Sequence, residues 1–180
     1  MRDVRFTQSC FQPQTDSKSA MRKINLSDVT EYELKSPKGK YHERGKEISL
    51  ALGRDRDSLD LAKRHPFDLA LLHIPAGGTL CPYHAHSAQS ELYLVISGRG
   101  QVRHEGGMTE VGTDDAFFFG PGEAHQISNP GPDELSYYVI ADNPIGESCY
   151  YPDSKKWTVF RPPDNIMMKG SETNYFDGEE

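Results

Sequence analysis

Residues 78–98 read Gly-Thr-Leu-Cys-Pro-Tyr-His-Ala-His-Ser-Ala-Gln-Ser-Glu-Leu-Tyr-Leu-Val-Ile-Ser-Gly, with His84 and His86 two apart and Glu91 five further on. On an extended strand successive side chains alternate faces, so residues i and i+2 project to one side. The spacing therefore aims both imidazoles into one space. Glu91 opens an apolar run that predicts a buried strand, and a turn over 87–90 would return its carboxylate to the histidines. A carboxylate inside such a strand is costly to bury without a partner. A second stretch, Gly-Pro-Gly-Glu-Ala-His-Gln-Ile-Ser-Asn over 120–129, supplies His125. Imidazoles and a carboxylate together suit a divalent transition metal.

At these residues the chain resembles the cupin superfamily. That family's first motif is a glycine, five residues, His-x-His, three or four residues, Glu, six residues and a glycine; Gly78, His84, His86, Glu91 and Gly98 meet every position. Its second motif ends in Pro-x-Gly, two residues, His, three residues and Asn, and Gly122, His125 and Asn129 match it. Gly120 stands where the family usually has proline, Asp114 where it has the motif's first glycine, and Pro121 is one place late. The resemblance covers residues 67–145. It implies an all-β fold, the cupin double-stranded β-helix or jelly-roll barrel, carrying N- and C-terminal extensions. It also implies that His84, His86, Glu91 and His125 hold the metal. The segments at 36–40, 48–53 and 151–153 look like the flanks of small single-domain cupins.

Three imidazoles and one carboxylate leave one or two positions open on a five- or six-coordinate ion, as a catalytic site needs and a structural site does not. The set tolerates Mn, Fe, Co, Ni, Cu and Zn, so it does not name the metal. The resemblance implies a wide choice of chemistry: dioxygenases, decarboxylases, sugar isomerases, lyases and non-catalytic binding proteins. Two readings follow. One is a metal-dependent oxygenase, lyase or isomerase acting on a small organic acid or sugar derivative. The other is a non-catalytic module that holds a small ligand. Tyr93, two after Glu91 and on its face of the strand, is the candidate catalytic residue, with a hydroxyl placed to donate to a metal-bound ligand. His42, His65, His73 and His104 lack this context and read as packed or hydrogen-bonded residues.

The chain of 180 residues has the length of one domain, enough to bury about 70% of its unfolded surface. Its 16 glycines and 12 prolines fit a chain that turns often, as all-β barrels do. A net charge of −7 with no basic, aromatic-interleaved stripe argues against nucleic acid as a partner. No apolar run approaches the length of a membrane span, and the first 20 residues hold no apolar core of a secretory signal. Cys10, Cys81 and Cys149 are too scattered for a disulfide framework, which points to reduced thiols in a cytoplasm. Cys81 falls out of phase with His84 and His86 and reads as a structural neighbour.

Residues 1–20 are polar and predict a disordered leader, with Met21 as a second candidate initiator. Residues 21–66 form an N-terminal arm, turn-prone at Ser36-Pro-Lys-Gly39, with a strand expected over 48–52 and a solvated charged loop over 54–65. The barrel follows over 67–145, with strands expected near 67–74, 83–87, 91–96, 100–104, 108–111, 115–119, 125–128 and 134–141. Residues 146–180 are expected to pack on the outside of the barrel, with Tyr150, Tyr151 and Trp157 a possible stacking surface. Exposed sheet edges need covering, and a homodimer meeting near 48–52 is the expected assembly.

Overall fold

A computed structural model describes residues 21–55, 58–60, 63–161, 164–170 and 173–179. The expected leader, residues 1–20, lies outside the described residues. The elements in chain order are β1 (Tyr32–Lys35), β2 (His42–Glu47), a single helical turn α1 (Ile48–Ala51), β3 (Phe67–Ile74), β4 (Ala85–His86), β5 (Glu91–Ser97), β6 (Arg99–His104) and β7 (Gly107–Gly112). They continue with β8 (Ala116–Phe119), β9 (His125–Ser128), β10 (Leu135–Asp142), β11 (Ser148–Tyr151), β12 (Lys156–Arg161) and β13 (Asp164–Met168). Among the described residues no helix is long and apolar enough to cross a membrane.

The strands build a jelly-roll, the double-stranded β-helix. One six-stranded sheet runs β1-β2-β3-β10-β5-β8, and a three-stranded sheet runs β7-β6-β9. The side chains of both sheets meet in one core, in which Leu72, Ile74, Tyr93, Val95, Leu135 and Tyr137 face Leu80, Val102, Val111 and Ile127. Alternation explains the division. Along β5, Tyr93 and Val95 are buried while Leu92, Leu94 and Ile96 are exposed.

Two motif residues act through the backbone. Gly98 ends β5 at φ +84°, and a Cβ there would lie 2.2 Å from the Glu134 carbonyl oxygen, so only glycine fits. Asn129 is fully buried, donates to the carbonyls of Ile74 and Asp133, each at 2.8 Å, and accepts from Gly131 N–H at 3.0 Å. It locks the end of β9 to the end of β3.

The two flanks differ from expectation. The apolar run at 48–52 is helical at Ile48–Ala51, not a strand. Short apolar runs cannot be told apart by periodicity alone, and here Ser49 Oγ accepts from Leu69 N–H at 2.8 Å, tying the turn onto β3. Ile48 and Ser49 are buried, while Ala51 is exposed and Leu50 and Leu52 are half-buried. In the charged loop Asp55, Asp60 and Lys63 are exposed, but Arg54 is buried, with Nε 2.6 Å from Asp68 Oδ1 and Nη2 donating to Asn143 Oδ1 at 2.7 Å. The C-terminal strands pair with β4 of the barrel, in the sheet β13-β12-β11-β4. Tyr150 and Trp157 pair across β11 and β12 with ring centroids 4.5 Å apart, a packing contact that uses the aromatic faces.

Candidate metal centre

Each of the four expected ligands sits where a strand begins or crosses another. His84 and His125 form an antiparallel bridge, His84 N–H donating to His125 C=O at 3.1 Å and His125 N–H to His84 C=O at 2.8 Å. His86 pairs with Cys149 of β11, and its carbonyl accepts from Gly122 N–H at 2.7 Å, which joins the two motifs directly. Glu91 begins β5, flanked by Ala141 of β10 and Phe119 of β8. One donor atom from each of His84, His86, Glu91 and His125 lies within 4.8 Å of the others. The face parity of the histidine pair thus carries over into the folded chain.

The imidazoles are oriented from behind. Nδ1 of His84 lies 2.9 Å from the Pro82 carbonyl oxygen, and Nδ1 of His125 lies 3.1 Å from that of Glu123. A carbonyl oxygen only accepts, so both Nδ1 atoms carry hydrogen and donate. Nδ1 of His86 lies 3.2 Å from Glu147 Oε1. With each Nδ1 engaged, each Nε2 is left for the centre, and partners of this kind fix the tautomer of ligating histidines. Glu91 Oε2 is the common point: it lies 2.9 Å from His125 Nε2 and 3.5 Å from His86 Nε2, and it accepts from the Tyr93 hydroxyl at 2.7 Å. Phe119 stacks on His125 with ring centroids 4.2 Å apart, and Phe117 stacks on Tyr93 at 4.9 Å.

The electrostatics follow from this geometry. Burial, with repulsion from His125 and His86, lowers His84 to about 4, which keeps it neutral and ready to donate a lone pair. Burial pushes Glu91 upward, but the hydrogen bond with His125, the charge of His86 and the Tyr93 hydroxyl outweigh it and hold the carboxyl at about 2. For His86 burial acts downward and is outweighed by Glu147, Glu91 and Asp142, so its value is raised. Burial lifts the Tyr93 phenol well above its ordinary value, and Glu91 and Tyr137 add to this. Cys81 Sγ lies 3.4 Å from His84 Nδ1, and burial raises its thiol well above the ordinary range, so it is a neutral neighbour.

A divalent metal fits this donor set. Its four donors converge, and Nε2 of His86 is buried with no hydrogen-bond partner, the condition of an atom built to bind something else. Glu147 is the residue that the sequence did not reveal. Besides His86 it accepts from the backbone N–H groups of Ser87 at 3.0 Å, Ala88 at 2.9 Å and Gln89 at 2.8 Å. It therefore grips the whole turn that carries the chain from His86 to Glu91.

Residues 70–141 match the profile of the cupin domain family. The chain carries a cupin domain. Solved structures extend the likeness beyond the matched segment. A cupin-superfamily sugar phosphate isomerase from Silicibacter pomeroyi superposes with a TM-score of 0.69 at 17% identity, over 85% of this chain and 97% of that one. A provisionally named sugar phosphate isomerase from Acidithiobacillus ferrooxidans gives 0.68 at 20% identity, over 80% of this chain and 87% of the other. The polyketide cyclase RemF from Streptomyces resistomycificus gives 0.53 at 20% identity, over 69% and 80%. At such identities these likenesses carry the cupin fold and not the reaction. No curated protein matches the sequence.

Proposed function

We propose that this cupin is a metal-dependent enzyme, an oxygenase, lyase or isomerase acting on a small organic acid or sugar derivative. The observation that carries the reading is the set of three imidazoles, each engaged at Nδ1, whose donor atoms converge with the Glu91 carboxylate to within 4.8 Å of one another. His84, His86 and His125 would hold the ion through Nε2, and Glu91 would complete the set as a carboxylate. Four protein ligands leave an open position on a five- or six-coordinate ion. When bound, the metal supplies Lewis acidity or, if it is redox-active, activation of oxygen.

The chain's own groups divide into holding and admitting. Glu91 at about 2 is too weak a base to abstract a proton at neutral pH, so it holds rather than transfers. Tyr93 is 2% exposed, stays protonated and spends its hydrogen on Glu91, which makes it a positioning residue. Phe119 and Tyr93 close the side of His125. Two cavities border the centre, one of about 270 Å³ along His86 and one of about 190 Å³ along Glu91. Substrate would approach there.

Metal loading separates the chemistries. An oxygenase consumes dioxygen when loaded with iron and is silent with zinc, whereas a lyase or isomerase works without oxygen and tolerates several metals. Tight binding of a small ligand with no turnover under any loading would replace the enzyme reading by the binding module.

A further inference from the structure

We propose that Tyr32 ends the hollow beside Glu91 and so sets the length of the substrate, a metal-binding head group carried on a short aliphatic chain. The proposal rests on the metal-centre reading and narrows its substrate class to a small aliphatic acid. The hollow, of about 190 Å³, reaches from Glu91 on β5 to Tyr32 on β1 across the inner face of the six-stranded sheet. At roughly 30 Å³ per water it has room for about six water-sized groups.

Register gives the hollow an edge and a floor. The row that holds Glu91 also holds Ala141 and Asp68. Two residues along the strands, the next row carries Val139, Ala70 and Glu47, and the row beyond it Leu72, Gly45 and Tyr32. The polar groups belong to element ends: Glu47 closes β2, Asp68 lies near the start of β3, and Gln89 sits in the turn before β5. Asp68 is paired there with Arg54 at 2.6 Å. Between them Ala141, Val139, Ala70 and Leu72 make a floor of aliphatic side chains. An apolar floor with a few polar groups at its edge orients a ligand that has one polar end.

Tyr32 comes from the N-terminal arm, outside the matched segment 70–141. It stands on the edge strand of the sheet and yet packs against the barrel core. Gly45 makes this possible. A Cβ at that position would lie 2.9 Å from the Tyr32 ring and 2.6 Å from Leu72 Cδ2, so the missing side chain lets the ring lean across β2. The Tyr32 hydroxyl then donates to Glu43 Oε1 at 3.1 Å, which fixes the ring in place. A chain lying on the floor with its head group beside Glu91 ends against that ring.

Calorimetric titration of the zinc-loaded protein with acetate, butyrate, hexanoate and octanoate tests this, with metal content measured on the same samples. The head group is constant, so differences within the series report the chain. Each buried methylene tightens binding about fourfold. Butyrate should therefore bind at least tenfold more tightly than acetate, while hexanoate and octanoate gain nothing further. In Tyr32→Ala hexanoate should bind at least tenfold more tightly than in wild type, whereas Tyr32→Phe, which keeps the ring, should keep the wild-type limit. Several results would overturn the proposal: zinc-loaded protein that binds none of the four, affinity that ignores chain length or climbs without a limit, or a limit that Tyr32→Ala leaves in place or Tyr32→Phe moves as far. A wild-type protein that takes up no metal instead removes the metal-centre reading, and the two failures are told apart by the elemental measurement.

Discussion

The carboxylate of Glu147 lies 3.2 Å from Nδ1 of His86, its neighbour across 61 residues of sequence. Burial acts to raise Glu147, but His86 and the N–H groups of Ala88 and Ser87 outweigh it and lower its value, so it faces the imidazole as an anion. The residue that leads into β11 therefore supports the candidate metal centre from outside the family's two motifs.

Replacing Glu147 by Gln removes the anion and keeps the shape. Partners of this kind are worth about 10–100-fold in metal affinity. Competition titration with a chelator should show a loss in that range for Glu147→Gln and a larger one for Glu147→Ala, which also frees the 87–89 turn. Unchanged affinity in both variants would reduce Glu147 to a turn-holding residue.

Tyr93→Phe should keep the stack on Phe117 and lose the hydroxyl that holds Glu91. A hydrogen bond to a charged group contributes about 1.5–3 kcal/mol, so metal affinity should fall by roughly 10–100-fold. If Tyr93 only positions Glu91, the pH profile of any turnover keeps its shape in the variant. A missing limb in that profile would make Tyr93 a proton donor.

Metal-free protein should lose stability as pH falls from 6.5 toward 4. His84 lies at about 4 in the fold against an ordinary 6.5, so the unfolded chain takes up the proton first. At 1.36 kcal/mol per pH unit, the loss is about 3 kcal/mol, absent above 6.5 and complete near 4. His86 opposes it: its raised value adds stability that is full below 6.5 and is lost as pH rises through the folded value. Urea midpoints between pH 7.5 and 4.5 should decline, more steeply in Glu147→Gln, where the Glu147 share of the His86 compensation is gone. A flat profile in both proteins would contradict the burial of a neutral His84.

The barrel was legible where one face of a strand is wet or where a turn forces a residue type. Phe67–Ile74 and His125–Ser128 stand out because turn residues bracket them. The ligands were legible because strand parity is local: two residues suffice to place His84 beside His86. Asp114, in the position of the family's glycine, adopts φ +71°, a left-handed conformation that Asp tolerates better than most residues. What the sequence hid was long-range. Nothing in Gly146-Glu147-Ser148 predicts a contact with His86, because hydrogen bonds between distant strands leave no period. Arg54 looked like a solvated charge until Asp68 and Asn143 came beside it. The helical turn at Ile48–Ala51 depends on the Ser49 contact with β3, which no local pattern encodes.

The central claim is that His84, His86, Glu91 and His125 hold one divalent ion, and elemental analysis of the purified protein tests it most directly. Wild type should carry about one equivalent of a transition metal per chain, and the double variant His84→Ala, His86→Ala close to none, with a far-ultraviolet circular dichroism spectrum that still reads as β. A double variant that retains a full equivalent, or a folded wild type that takes up none when metal is offered, would contradict it.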